Sequence, residues 1–305
     1  MVVVPRVVVV ALVGAALLLA ACGDSEGDPG EAGSAGGGRP TVVVTTNILG
    51  DVVTNLVGDE MDVVTIMPVG ADPHDFQASA QQVDQIETAG VLIVNGAGFE
   101  EGLLDIIESA DTGGVPTFEA IGAVDAHLED PHFFVDPSRM AQAASGIAGF
   151  LEENVVGIDE EALRANAEAY IAELEALDAE VEATLAEIPE ARRVLVTNHE
   201  VFGYFADRYD IEVVGAVIPS GTTVGGASAG DLAQLVETIK REDVPAIFAD
   251  TSSSDDLAAT MAGEVGDIAV VELFSESLGD ADSDGSTYIE MMRANANRIA
   301  AALAD

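Results

Sequence analysis

The chain has one cysteine, 11 basic residues against 55 acidic ones, and four histidines among its 305 residues. A single thiol excludes an internal disulfide and a multi-thiolate metal site. The shortage of lysine and arginine, with a formal net charge of −44, argues against nucleic acid as a partner, because a phosphate backbone needs a positive footprint. The acidic excess does not by itself indicate metal binding. A solvated surface suited to a salty medium is the default for most of these carboxylates. Also absent are an HExxH motif, an evident Ser-His-Asp arrangement and a Walker lysine, so nothing independent signals an enzyme. The glycines at 221, 225, 226 and 230 lack the strand-to-helix phosphate fingerprint and read as a flexible loop over the second half of the chain.

The apolar run at 7–21 is short for a permanent membrane helix. Arg6 precedes it and Leu19-Ala20-Ala21-Cys22 closes it, which reads as a secretory signal over 1–21. That closing sequence resembles the lipobox of bacterial lipoproteins. The resemblance implies acylation of Cys22 and attachment to membrane lipid on the extracytoplasmic side; ordinary cleavage beside a chance cluster of small residues is the alternative. Residues 23–40 hold seven glycines and four acidic residues without an apolar run. Such a stretch buries too little surface to offset its ordering entropy, so 22–40 is expected to be a lipid-anchored flexible tether.

From residue 41 onward β-branched runs alternate with segments of helical apolar spacing. Strands are expected at 41–46, 61–67 and 91–94, with helices at 48–57, 79–89, 102–110 and 137–151. Across 159–188 the pattern changes. Leu163, Ala167, Tyr170, Leu174, Leu177, Val181, Leu185 and Ile188 recur every three or four residues, predicting one helix roughly 40 Å long. Strands at 193–197, 211–218, 246–249 and 269–273 then alternate with helices at 201–209, 227–240, 256–265 and 287–303. The fold class is therefore α/β: two lobes with mostly parallel sheets, at 41–158 and 189–305, joined by a long rigid helix at 159–188.

Three histidines fall where strands end or helices begin. His74 lies in Ala71-Asp72-Pro73-His74-Asp75, His132 in Asp130-Pro131-His132-Phe133-Phe134, and His199 in Thr197-Asn198-His199-Glu200. Glu276 follows the strand at 269–273. Ligands of open α/β sheets collect beyond the carboxyl ends of strands, so these loops can converge. Neutral imidazoles and a carboxylate suit a borderline divalent ion. Taken singly, however, a histidine beside a loop is more often a surface or hydrogen-bonded residue, and a glutamate is usually solvated. The residues alone leave both readings open.

The segments around the three histidines, the Gly203-Tyr204-Phe205 stretch, Leu273-Phe274-Ser275-Glu276-Ser277-Leu278, and Asp284-Gly285-Ser286-Thr287-Tyr288-Ile289-Glu290-Met291-Met292 with Asn295 occur in one order. Together they resemble the zinc and manganese solute-binding lipoproteins of ABC transporters, the cluster A-I metal-binding receptors. The resemblance implies two lobes on a long helix, with His74 and His132 as metal ligands from the first lobe and His199 and Glu276 from the second. Many members carry aspartate where this chain has Glu276, which shifts the carboxylate by a methylene. The resemblance further implies no catalysis, a likeness to receptors that work as monomers, and a permease with a separate ATPase as partners. Zinc is favoured by the histidine-rich shell, with manganese admissible. His127 is read as a solvated loop residue, with an auxiliary metal contact as the alternative; Asp250 is read as orienting a ligand imidazole or helping to close the lobes, with a surface or helix-capping role as the alternative. Competing functions are a zinc-dependent hydrolase and a metal-stabilised surface adhesin.

Overall fold

A computed structural model describes residues 39–126, 130–266 and 268–304. The expected signal, the tether to residue 38, Cys22 and His127 lie outside the described residues. The first lobe is built from β1 (Thr41–Val44), α1 (Asn47–Val57), β2 (Asp62–Thr65), α2 (Ala80–Glu87), β3 (Val91–Val94), α3 (Leu104–Gly113), β4 (Thr117–Glu119) and α4 (Pro137–Asn154). The second contains β5 (Val194–His199), α6 (Gly203–Tyr209), β6 (Glu212–Ile218), α7 (Ala229–Glu242), β7 (Ala246–Asp250), α8 (Asp256–Val265), β8 (Ala269–Leu273) and α9 (Tyr288–Leu303). Between them runs α5, Glu160–Leu185, 26 residues starting from an Asp159 cap whose carboxylate accepts from the Glu161 and Ala162 amides.

Each lobe holds a four-stranded, wholly parallel sheet, ordered β2-β1-β3-β4 in the first and β6-β5-β7-β8 in the second. The two orders are the same. In both, the chain reverses its direction of travel across the sheet beside the first strand, creating a crevice outside the strands' carboxyl ends. The alternation along the strands explains the layering. Val42, Val44, Val91 and Ile93 face a central core, while Val43, Leu92 and Val94 face a separate outer one. In the second sheet Leu195, Ala246 and Phe248 join the same central core, and Val196, Ile247 and Ala249 face another outer cluster. Burial on both faces is why these strands read as continuous apolar runs.

The central core is shared between the lobes. The α5 stripe expected from the sequence is buried along its length, from Leu163 to Leu185, and belongs to the same cluster as Val52 of α1, Ile147 of α4 and Ile299 of α9. Helix α5 thus packs against both lobes at once.

Two local differences from the sequence reading have simple causes. Strand β4 was not expected: it is a three-residue edge strand, half-buried, with too few residues to show a period. Strand β5 runs two residues further than 193–197 suggests and ends on His199, because His199 still pairs with Ile218 of β6.

Candidate metal centre

His74 and His132 are set by the same tripeptide, Asp-Pro-His, at 72–74 and 130–132. In each, an aspartate oxygen accepts from the histidine amide two residues on, at 2.9 Å, an Asx turn that fixes where the imidazole starts. From there they differ. Asp130 Oδ1 also lies 2.6 Å from His132 Nδ1, whereas His74 Nδ1 lies 3.1 Å from Glu101 Oε1 and Asp72 Oδ2 accepts from the Thr223 hydroxyl of the second lobe at 2.6 Å. Asn95, at the end of β3, donates from Nδ2 to the Pro131 carbonyl at 2.9 Å and so moors the second tripeptide to the sheet. Glu100, fully buried, accepts from the Thr45 hydroxyl and the Asn95 amide, tying the ends of β1 and β3 together.

His199 is the last residue of β5, at the crevice of the second sheet. Glu276 is carried three residues beyond β8 by a segment whose Phe274 exchanges two backbone hydrogen bonds with the Asn295 side chain of α9, at 2.9 and 2.7 Å. The four side chains converge and all are buried. Glu276 Oε1 lies 3.0 Å from His74 Nε2, 3.0 Å from His132 Nε2 and 2.9 Å from His199 Nε2. The Nε2 atoms of His74 and His132 are 3.5 Å apart, close to the edge of about 3.3 Å expected for a tetrahedron with metal–nitrogen bonds of about 2.0–2.1 Å. Glu276 Oε2 is buried with no partner among the described residues. Phe99 walls the first-lobe side, its ring edge-on to His74 and His132 at 5.2 and 5.4 Å between centroids.

An ionised carboxylate can only accept hydrogen bonds. His74 and His132 each present both ring nitrogens to carboxylates, so this arrangement favours their doubly protonated forms. Burial opposes protonation of His132, but Asp130 and Glu276 outweigh it and push the imidazole up to about 9. The same contest, with Glu276 as the main opponent of burial, raises His74. Burial would raise Glu276, yet the three imidazoles hold it well below the usual carboxylate range. Asp250, at the end of β7, is pushed up to about 6 by burial and by the Glu276 charge, against the Ser252 amide and His199.

A cavity of about 370 Å³ is lined by Asp130, Pro131, Glu200, Phe202, Gly203, Val213 and Gly221, chain neighbours of His132 and His199 but none of the four site residues themselves. A larger one of about 690 Å³ lies against α4 and α5 and is lined by none of the four. All four site residues expected from the sequence are therefore brought together. Asn198 turns away to donate to the Ser253 hydroxyl at 2.8 Å, and Glu200 is exposed. Sequence reasoning missed Glu101 and Asp130 as partners of the imidazoles. The repeated Asp-Pro-His was a usable signal for Asp130; Glu101 had none.

The model of a protein family described as zinc-uptake complex component A, periplasmic, matches residues 42–302. The chain belongs to this family. Among its relatives, the zinc-binding protein TroA of Treponema pallidum is 30% identical over 288 residues, covering 90% of this chain and 92% of the relative. The manganese-binding lipoprotein MntA of Halalkalibacterium halodurans is 28% identical over 292 residues, covering 94% and 95%. The manganese ABC transporter substrate-binding lipoprotein PsaA of Streptococcus pneumoniae is 26% identical over 303 residues, covering 95% and 96%. In three dimensions the chain is similar to the solved periplasmic zinc-binding protein TroA of T. pallidum, with a TM-score of 0.82 and 30% identity, covering 88% of this chain and all of that one. No helix of the described residues is long and apolar enough to cross a membrane.

Proposed function

We propose that this protein is the extracytoplasmic receptor of an ABC importer, that it captures a divalent zinc or manganese ion between its lobes, and that it delivers the ion to a permease. The observation that carries this reading is the convergence of three Nε2 atoms and one carboxylate on a single buried point, two ligands from each lobe. His74, His132, His199 and Glu276 would be the ligands and the ion the cargo. The histidine-rich set favours zinc, with manganese admissible. With lobes at 41–158 and 189–305 about a spine at 159–188, binding would proceed by closure, the ion acting as the cross-link. A lipid anchor at Cys22, a monomeric state and the absence of catalysis belong to the same reading. With Glu276 filling the fourth position, no open position is left for an activated water.

Protons compete with the ion for the imidazoles. Since His132 is pushed up to about 9 and His74 is raised, uptake near neutral pH is expected to release protons, and affinity to weaken as pH falls. In the metal-free protein the sign is opposite. Raised histidine pKa values stabilise the fold below the ordinary value, and that contribution is lost as pH rises toward about 9. Calorimetric titration of zinc and of manganese into metal-free protein, in buffers of different ionisation enthalpy, reads affinity and proton release together. Equal affinity between about pH 8 and about pH 5 would count against the ligand set. Glu276→Ala should lower affinity by more than the about 10- to 100-fold that loss of a ligand's hydrogen-bond partner costs, because two lobes would lose their shared carboxylate.

A further inference from the structure

His74 Nδ1 faces Glu101 and His132 Nδ1 faces Asp130, but the third imidazole differs: His199 Nδ1 is buried without a partner. Only four other side-chain polar atoms among the described residues share that condition: Asn95 Oδ1, the Tyr170 hydroxyl, Asp250 Oδ2 and Glu276 Oε2. Glu276 faces the opposite ring nitrogen of His199, and Asn95 and Tyr170 sit on the first lobe and on α5. Asp250 stands next door. Strands β5 and β7 are parallel neighbours registered at Thr197 and Phe248, and continuing that register by two residues sets His199 beside Asp250. Residues of equal parity in register point to the same face, here the central-core face that Leu195, Ala246 and Phe248 share. Asp250 is itself buried, and its other oxygen is already committed to Ser252, accepting from the amide at 2.6 Å and the hydroxyl at 2.9 Å. The Ser275 side chain also bears on this carboxyl, and Oδ2 keeps no hydrogen-bond partner among the described residues.

We propose that Asp250 is the positioning carboxylate of His199: with Nε2 on the ion, Nδ1 carries the ring proton and donates it to Asp250 Oδ2. Each of the three imidazoles then has its own carboxylate, Glu101, Asp130 or Asp250, fixing the tautomer that leaves a lone pair on Nε2. The inference rests on the metal-receptor reading above. The neighbouring β5 and β7 ends, where the strand order reverses, make this pair the second lobe's own solution to what Asp-Pro-His does in the first.

The test uses the full chain, first metal-free and then zinc-loaded. Nitrogen-resolved NMR of the histidine rings in the loaded protein should show a His199 Nδ1 proton that exchanges slowly with water. Asp250→Asn should lose that protection, keep it at His74 and His132, and weaken zinc binding by about 10- to 100-fold. Asp250→Asn with unchanged zinc affinity and an unchanged His199 Nδ1 signal would overturn the proposal. If that variant does not fold, the wild-type spectrum decides, since a rapidly exchanging His199 Nδ1 proton overturns it equally. Failure of the wild-type chain to take up zinc or manganese would remove the receptor reading, and this inference with it. Wild-type uptake with Asp250 inert removes only the inference.

Discussion

The lobes meet along a buried seam and a rim, and the two are made differently. In the buried seam Asn47 of the first lobe donates to the Ser277 hydroxyl oxygen at 3.0 Å and accepts from the Leu278 amide at 2.8 Å. Tyr288 donates through its hydroxyl to the Phe134 carbonyl at 2.8 Å, and its amide donates to Asp51. Around these bonds lies the apolar core that α5 completes. At the rim a half-buried hydrogen bond, Thr223 to Asp72, reaches across from a loop whose Val224 is 62% exposed. Bonds surrounded by packed side chains set where the four site side chains stand. A bond at the edge of solvent can open without disturbing them, and is suited to govern how fast the cleft opens.

That contrast can be broken first in the buried seam. Leu174→Ala would empty a fully buried position on α5 and should lower unfolding free energy by about 2–5 kcal/mol, read from the urea midpoint. Asn47→Ala should follow at about 1–3 kcal/mol, because the buried Leu278 amide loses its acceptor. Thr223→Val should change stability by less than about 1 kcal/mol yet quicken release of bound zinc about 2- to 10-fold, the worth of one hydrogen bond between the lobes. Stopped-flow chelation measures the rate. If Thr223→Val leaves release unchanged while Asn47→Ala accelerates it without loss of stability, the roles of the seams are reversed.

The long helix was legible because seven apolar residues at regular spacing, Leu163 to Leu185, outvote any local ambiguity, the eighth, Ile188, lying just past its end, and the buried strands because both faces of a parallel sheet are apolar. Strand β4 was not legible, being short and at an edge. Within the site, the histidines were visible as strand-end and pre-helix residues. Glu276 as a candidate ligand rested on resemblance, since a glutamate after a strand carries no periodic signal. The role of Asp130 was foreshadowed by the repeated Asp-Pro-His, whereas that of Glu101 depends on which atoms meet after folding, and chain order does not encode that. For Asp250 the missing information was register: only when Thr197 is known to lie beside Phe248 does His199 acquire its neighbour.

The central core also bears on how the molecule comes apart. Val42 of β1, Leu174 of α5, Leu195 of β5 and Ile299 of α9 belong to one continuous cluster, while each lobe keeps only a smaller cluster on its outer face. Neither lobe can retain its main core once the other melts. The described body is therefore expected to unfold in a single calorimetric transition, with hinge motion in the folded state confined to the small rearrangements that this common core tolerates.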